Sequence, residues 1–301
     1  MSVPDSRSGG RRTVHVPVML REVLQSLSLQ PGLWVVDGTV GAGGHSQRIL
    51  PMIQPGGHLI GLDRDATMLA RAEQVVSGEN VTLKQTSYSE LDAVLDELNH
   101  PQVDRVLLDL GLSSDQLADD ERGFGFQTEA PLDMRFDARQ GESVQELLRR
   151  ISVEDLTQLL QDFGDESQAR RLAEAILWQR DQRQMNTASD LRTCIESVLG
   201  SRHKGSHPGT RIFQALRIAV NRELEHLEHF LDDVLPRRLS VGGVAAIITF
   251  HSIEDRMVKQ AFRDASRWEM LTRKPLVPSP SEVRLNPRCR SAKLRVVRRN
   301  P

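Results

Sequence analysis

A glycine-rich segment, VVDGTVGAGGHS at residues 35–46, follows a short apolar run and carries a carboxylate at Asp37. Between a strand and a helix, such a segment presents bare backbone N–H groups to a ligand. A phosphate-binding P-loop is disfavoured, because it ends in Gly-Lys-Ser/Thr, whereas Gly44 is followed by His45. The dinucleotide pattern G-x-G-x-x-G fits in part, since Ser46 stands at its third glycine position. The segment predicts a ligand loop, with a tight turn that binds nothing as the alternative.

Two acids near this loop narrow the class of ligand. Asp37 lies at the tip of the preceding apolar run, where a carboxylate would repel a pyrophosphate and attract a cationic group. Asp63 ends the next apolar run, twenty residues after Gly43, where a carboxylate can accept the hydroxyls of a ribose. S-adenosylmethionine has an adenosyl group, an ammonium and a sulfonium, and no phosphate. The pattern therefore favours this methyl donor over a nicotinamide dinucleotide.

Two further residues follow apolar runs at equivalent places. Tyr88 comes after the third run, where its ring could lie against an adenine or be an ordinary loop aromatic. Asp109 ends the fourth run and opens the segment DLGLSSDQL. In open α/β folds, ligands bind at the carboxyl edge of the sheet, where such residues collect. An acid beside the donor methyl group is a candidate for catalysis, so Asp109 is the predicted catalytic residue.

The elements that must position these residues alternate along the first hundred residues. The runs at 33–37, 58–63, 81–85 and 103–109 are short, apolar and bounded by turn residues, which is typical of buried strands. The segments 66–76 and 89–98 have apolar residues at helical spacing. A further strand is predicted at 244–250. Strands that alternate with helices predict an α/β fold with a doubly wound parallel sheet.

A long helical segment separates the fourth strand from the strand at 244–250. Connections in such folds are usually a handful of residues plus one helix. Residues 116–209 are therefore predicted to form an inserted helical domain for substrate recognition, and residues 1–115 and 210–301 a discontinuous methyltransferase domain. The periodic apolar pattern from Thr210 to Leu235 predicts one long helix that returns the chain to the sheet.

The distribution of charge suggests a polyanionic partner. The formal net charge is only −2, but residues 201–222 and 283–301 contain no acid. These stretches form either a solvated surface with a loose tail or a surface that follows phosphates. No apolar run is long enough to span a membrane and no signal peptide is recognised, so a cytoplasmic location is expected. The stretches contain Arg202, Lys204, Arg211, Arg217, Arg222, Arg284, Arg288, Arg290, Lys293, Arg295, Arg298 and Arg299.

Seven segments, in this order, resemble one known family. They are DGTVGAGGHS, LDRD, LLDLGLSSDQLADDERGFGF, PLDMRFD, HPGTRIFQALRIAVNREL, ITFHSIEDRMVK and NPRCRSAKLR. Together they are similar to the bacterial ribosomal RNA small-subunit methyltransferase H family, N4-cytidine methyltransferases that modify 16S ribosomal RNA. The resemblance implies a Rossmann-like S-adenosylmethionine-dependent methyltransferase interrupted by a helical domain. Its implied partner is 16S ribosomal RNA in the small ribosomal subunit.

The resemblance also implies roles for individual residues. Gly43, Gly44 and His45 match the family's cofactor loop, Asp63 its ribose-binding acid, and Tyr88 the position of an aromatic at the adenine. Asp109 and Gln116 match cofactor-site residues after the fourth strand. Asp115 and Gly125 depart from the family pattern, where proline and serine are usual, which implies a less rigid loop here. The target amine is paired in a duplex, so the cytidine must be single-stranded or flipped out.

Several substrate contacts are expected with weaker support. His251 follows the last predicted strand and could approach the substrate, whereas Ser252 and Asp255 would cap the next helix. Arg135 could line the substrate cleft or hold a packed loop. Arg202, Lys204, Arg211 and the arginines after residue 283 are the predicted phosphate contacts. The alternatives are a methyltransferase for small molecules or proteins, a nicotinamide-dependent oxidoreductase, and a non-catalytic RNA-binding protein.

Overall fold

A seven-stranded sheet forms the centre of the protein in a computed structural model that describes residues 17–126, 128–200 and 207–301. The order across the sheet is β3-β2-β1-β4-β5-β7-β6. Strands β1 to β5 are parallel, and β7 is antiparallel to both of its neighbours. The strands are β1 (Trp34–Asp37), β2 (His58–Asp63), β3 (Val81–Gln85), β4 (Val103–Asp109), β5 (Leu239–Thr249), β6 (Trp268–Met270) and β7 (Lys293–Arg299).

Helices cover both faces of this sheet. Within the described residues, no helix is both long and apolar enough to cross a membrane. The helices are α1 (Leu20–Leu27), α2 (Ser46–Ile49), α3 (Ala66–Ala72), α4 (Leu91–Glu97), α5 (Ser114–Leu117), α6 (Val144–Arg150), α7 (Val153–Gly164), α8 (Ala169–Asp181), α9 (Ala188–Leu199), α10 (Pro208–Asn221), α11 (Glu223–His229), α12 (Leu235–Arg238), α13 (Ser252–Ala261) and α14 (Pro280–Leu285).

Alternate residues of the central strands face opposite sides of the sheet. Val35 and Leu59 pack in one core with residues of α1, whereas Val36 and Ile60 pack in another with residues of α4. This follows from the two-residue period of a strand. Since both faces are buried, these strands are apolar throughout, as parallel sheets require. The predicted α/β class is confirmed, and the predicted parallel arrangement holds for β1 to β5, whereas β7 makes the sheet mixed.

A third core lies among the helices between β4 and β5. It contains apolar residues of α6, α7, α8, α9 and α10. Side-chain caps fix where several of these helices begin, since Ser143 and Glu146 form a capping box at α6, and Thr187 and Asp190 form one at α9. Helix α10 belongs to this core by packing, although the predicted boundary at residue 209 falls in its first turn and assigns most of it to the other domain.

The prediction of one continuous helix from Thr210 to Leu235 is wrong. Helix α10 ends at Asn221, and Arg222 adopts a left-handed conformation with φ 51° before α11 begins. Across this turn, the carboxylate of Glu223 accepts two hydrogen bonds from the guanidinium of Arg217, at 2.8 and 3.0 Å. The apolar spacing continues across the turn, which is why the sequence pattern did not reveal it.

The interpretation of the basic C-terminal stretch as a loose tail is also wrong. Residues Lys293–Arg299 form β7, which lies inside the sheet between β5 and β6. Its apolar members, including Leu294 and Val297, are buried. The arginines that alternate with them made the strand resemble a solvated segment.

Candidate functional site

A cleft lies at the carboxyl edge of the sheet where the chain order reverses between β1 and β4. This is the position at which open α/β sheets bind ligands. The cleft has a volume of about 320 Å³, within the range of small-molecule sites. Its walls come from the loop after β1, the ends of β2 and β4, the start of α11 and a C-terminal segment around Asn286.

The glycines of the loop after β1 have different physical roles. Gly38 lines the cleft, and a Cβ there would lie 2.4 Å from Leu108. Gly41 also lines it and has a φ of 52°. Gly43 does not line the cleft; its φ is 85°, and a Cβ would lie 2.8 Å from a methyl of Val75. Gly43 therefore serves the packing of the loop on the residues after α3, rather than a direct ligand contact.

Gly44 lies in the cleft wall beside the N-terminal segment. A Cβ on Gly44 would lie 2.7 Å from Cγ of Pro17, and both residues line the cleft. His45 follows it, is buried, and has Nε2 3.0 Å from the carbonyl oxygen of Val18. The loop after β1 and residues 17–18 therefore form one wall of the cleft.

Asp37 is placed beneath the loop rather than in the cleft. Its carboxylate is 1% exposed, accepts a hydrogen bond of 2.7 Å from the hydroxyl of Ser46, and is not part of the cleft lining. Burial raises the pKa of Asp37 to about 6. Asp37 thus holds the start of α2 against β1, and any effect on a bound cation would act through the field of the carboxylate and not through contact.

Asp63 reaches the cleft from the end of β2. Its Oδ2 accepts from the backbone N–H of Gly41 at 2.9 Å, and its Oδ1 accepts from that of Asp65 at 2.9 Å. Burial raises its pKa to about 6. Each carboxylate oxygen has a second lone pair, so Asp63 can still accept hydrogen bonds from ligand hydroxyls.

Asp109 lies across the cleft from this acid, at the end of β4. Its Oδ1 is shielded from solvent and has no hydrogen-bond partner among the described residues. Its Oδ2 is 3.8 Å from Nδ1 of His45. Burial, together with the nearby charges of Asp37 and Glu254, raises the pKa of Asp109 well above its usual value. An acid with an unsatisfied oxygen at a cleft wall can accept a proton or hydrogen bond from a ligand.

Gln116 belongs to a buried network that holds the loop after β4. Its Nε2 donates to Oδ2 of Asp65 at 2.9 Å, and its Oε1 accepts from the backbone N–H of Ser113 at 2.9 Å. Arg122 donates to the same Oδ2 of Asp65 at 2.8 Å. The backbone N–H of Asp65 in turn donates to Asp63, so the network joins the two sides of the cleft.

Tyr88 lines the cleft at the end of β3. Its ring meets that of Phe230 edge-on, with 5.3 Å between the centroids. Burial raises the pKa of its hydroxyl. Nearby, Nδ1 of His226 is 2.8 Å from the hydroxyl of Ser89, and burial lowers the pKa of His226 to about 4. A neutral imidazole and an aromatic ring form a surface suited to a planar ligand group.

Two predicted substrate residues, Arg135 and Arg211, are engaged within the protein. Arg135 forms a two-point ion pair with Asp133 and does not line the cleft, in agreement with the alternative of a packed loop. Arg211 donates to the carbonyl oxygen of Asp165 at 3.1 Å and lies 3.5 Å from Glu166. Arg202 and Lys204 lie outside the residues that the structure describes.

His251 caps the start of α13, a role that was predicted for Ser252 and Asp255. It forms a capping box with Glu254 at the start of α13, so the predicted cap by Ser252 and Asp255 is wrong. Nε2 of His251 is 2.7 Å from Oε1 of Glu254. Asp255 points elsewhere, because Lys293 and Arg295 bind it.

Sequence reasoning missed several residues of the cleft, namely Glu223, Glu254 and Asn286. Arg288, one of the predicted phosphate contacts, also lines it. Glu254 is buried and its pKa is held below the usual value, despite burial, by His251 and the backbone N–H of Phe250. Its place in HSIED, after a strand, was the available signal.

Comparisons with known proteins agree with this architecture. A family model described as the MraW methylase family matches residues 12–300. The chain is 46% identical to ribosomal RNA small subunit methyltransferase H of Sorangium cellulosum, over 99% of this chain and 95% of that protein. It is 43% identical to the protein of the same name from a Cyanothece species, over 95% of each chain, and 44% identical to that of Thermotoga neapolitana, over 93% and 94%. The chain therefore belongs to the MraW methylase family.

Proposed function

We propose that the protein transfers a methyl group from S-adenosylmethionine to the N4 amine of a cytidine in 16S ribosomal RNA of the small subunit. The names of the relatives support the RNA substrate, and they match this chain over nearly its full length. The observation that carries the proposal is Asp109, a partly buried acid whose shielded Oδ1 has no hydrogen-bond partner among the described residues, in the cleft wall of a protein of the methylase family.

The residues of the cleft fit the methyl donor. The loop offers Gly38, where a Cβ would clash with Leu108, and Gly41, whose φ of 52° favours glycine, and Asp63 offers free lone pairs to ribose hydroxyls. No arginine or lysine is among the lining residues of this loop, so it lacks the cations that a pyrophosphate would require. When bound, S-adenosylmethionine supplies a methyl group on a cationic sulfonium, which acids in the cleft would stabilise.

For this reaction, the protein must mainly position the amine against the methyl donor and remove a proton. The N4 amine of cytosine is a weak nucleophile because its lone pair is shared with the ring. Asp109, as a carboxylate, can accept a hydrogen bond from this amine and take the proton released when the N–C bond forms. General base catalysis of this kind contributes about 10² to 10⁴ in rate. Ser113 and the backbone of the same loop lie beside it as further acceptors.

The helical insertion is the proposed substrate-recognition domain. Residues 116–209 leave the sheet immediately after the loop that begins at Asp109, and Arg122 fastens them to Asp65. An extruded base would enter between this insertion and the sheet. Helix α10 shares the insertion's core and is assigned with it by packing. Because the substrate is ribosomal, we expect the protein in the cytoplasm.

A methylation assay on defined substrates tests the proposal. The protein is incubated with radiolabelled S-adenosylmethionine and, in turn, naked 16S ribosomal RNA, small subunits and complete ribosomes that lack the modification. The product is digested and its nucleosides are separated. We expect N4-methylcytidine from at least one small-subunit substrate. Label in another nucleoside, or none in any substrate while the donor binds, would overturn the proposal.

A further inference from the structure

The basic residues of the C-terminal stretch fall into two groups. Four are engaged within the fold: Lys293 and Arg295 bind Asp255, Arg298 binds Glu269, and Arg299 donates to the carbonyl oxygen of Leu239. Arg284, Arg288 and Arg290 are exposed, and within the described ranges none of them has an ion pair or side-chain hydrogen bond. Three cations are therefore available to a partner.

These three arginines lie on a segment that the core holds in place. The segment consists of α14 and the short 3₁₀ helix Pro287–Ser291. Oε1 of Glu282 accepts from the backbone N–H of Met19 at 2.7 Å, and Cys289 is fully buried in the core that includes α1. The arginines thus project from a fixed support rather than from a loose tail.

This segment forms part of the rim of the cleft. Asn286 and Arg288 line the cleft, and Leu285, just before them, is 88% exposed. The other arginine of the lining, Arg64, already donates to the carbonyl oxygen of Asn221 at 2.6 Å. Arg288 is consequently the cleft cation that has no partner among the described residues.

The interior of the cleft has the opposite charge. Five acids line it, of which Asp115 is paired with Arg71 and Glu223 with Arg217; the others are Asp63, Asp109 and Glu254. A neutral pyrimidine can enter such a space, whereas a phosphodiester would be repelled by the three acids that have no arginine partner among the described residues. The phosphates on either side of an inserted base must therefore stay outside, where the rim carries Arg288.

We propose that Arg284, Arg288 and Arg290 form a phosphate-binding rim for single-stranded RNA, and that Arg288 is a positioning residue that holds a phosphate next to the inserted nucleotide. The inference rests on the proposed function and adds the route by which the RNA reaches the cleft. Phosphate contacts fix the register of a nucleic acid without reading its sequence. The exposed Leu285 offers an apolar contact to an unstacked base beside that phosphate.

The first test measures RNA affinity against salt concentration. A cytidine-containing single-stranded oligoribonucleotide is titrated with the wild type, with Arg284→Gln, Arg288→Gln and Arg290→Gln, and with the triple variant. Each lost contact should lower the slope of log affinity against log salt by about 0.7, and the triple variant should lower it by about 2.

Arg298→Gln is the matched control for these variants. Arg298 is 46% exposed and also on the C-terminal stretch, but it pairs in register with Val244, near the opposite edge of the sheet. Its slope should equal that of the wild type. The rim is refuted if the triple variant keeps the wild-type slope, or if Arg298→Gln lowers the slope as much as Arg288→Gln does.

The second test separates the rim from the chemistry. With small subunits as substrate, Arg288→Gln should raise KM for the subunit at least fivefold, leave the Kd for S-adenosylmethionine unchanged, and be partly rescued by Arg288→Lys. Normal KM in Arg288→Gln, with N4-methylcytidine formed by the wild type, would overturn the rim alone. Failure of the wild type to form N4-methylcytidine would overturn the proposed function, while the salt slopes would still decide whether the rim binds RNA.

Discussion

Two sets of buried or partly buried acids lie in and around the cleft, and they differ in whether a basic side chain binds them. Asp37, Asp63 and Asp109 have no arginine or lysine partner among the described residues, and burial raises the pKa of each. Asp65 and Glu223, by contrast, are bound by Arg122 and Arg217. Asp63 and Asp109 line the cleft and Asp37 lies beneath its loop, whereas Asp65 and Glu223, which also lines the cleft, are bound by arginines of the helical segment between β4 and β5. Arginines neutralise the acids that hold segments of the fold together. The acids without an arginine or lysine partner can instead be neutralised by a cationic ligand.

Among the variants that test this comparison, Asp109→Asn should have the largest effect. If the unpaired acid takes the substrate proton, its loss should lower kcat by about 10² to 10⁴. The raised pKa means that the ionised carboxylate destabilises the ligand-free fold, so this variant should unfold at the same or a higher temperature. Initial rates with saturating small subunits and a thermal melt provide both values. A rate near that of the wild type would remove Asp109 from catalysis.

Arg122→Gln tests the paired set. It leaves the 1% exposed Asp65 without its cation, and breaking such a buried pair costs about 3 kcal/mol of unfolding free energy. Urea denaturation measures the loss. Arg139→Gln is the control, because Arg139 is 65% exposed in its pair with Asp137, and its urea midpoint should stay close to that of the wild type. Equal costs for the two variants would show that burial of the pair has no special weight.

The pH dependence of stability sharpens the comparison with a smaller effect. Asp63 has a folded pKa of about 6 against an ordinary value of 3.8, so between these values the folded state binds more protons than the unfolded state. The free energy of unfolding therefore falls as the pH rises through this window, by about 1.4 kcal/mol per pKa unit. In Asp63→Asn, the difference between pH 4.5 and pH 8 should shrink by about 2 kcal/mol, and any constant cost of lost hydrogen bonds cancels. Parallel profiles for variant and wild type in urea titrations would contradict the shift.

Much of the sheet could be predicted because its central strands are short apolar runs bounded by turn residues, a pattern that is visible in the sequence. The predicted strands at 58–63, 81–85 and 103–109 coincide with β2, β3 and β4. Strand β7 was missed since its arginines are matched by acids far away in the chain, Asp255 and Glu269, and no local pattern contains that information. The turn at Arg222 was missed because the apolar spacing continues across it, and the ion pair of Arg217 with Glu223 that spans it is not visible in that spacing.

The site could be located from sequence, but contacts within it could not be assigned. Asp63, Tyr88 and Asp109 line the cleft as their positions after strands predict. The roles of Asp37 and Gly43 depend on distant neighbours, Ser46 for one and Val75 for the other. Which basic residues remain free for RNA was equally hidden, since it depends on which acids the fold brings to the others.

The position of β7 imposes an order on the assembly of the sheet. Strand β6 precedes β7 in the chain but joins the sheet only through it. During synthesis, β6 cannot pair with the sheet until residues 293–299 have been made. Until then, Trp268 lacks its neighbour in β7. Strand β7, made after β6, is thus the strand that completes the pairing of β6 and, through the segment before it, places the arginine rim beside the cleft.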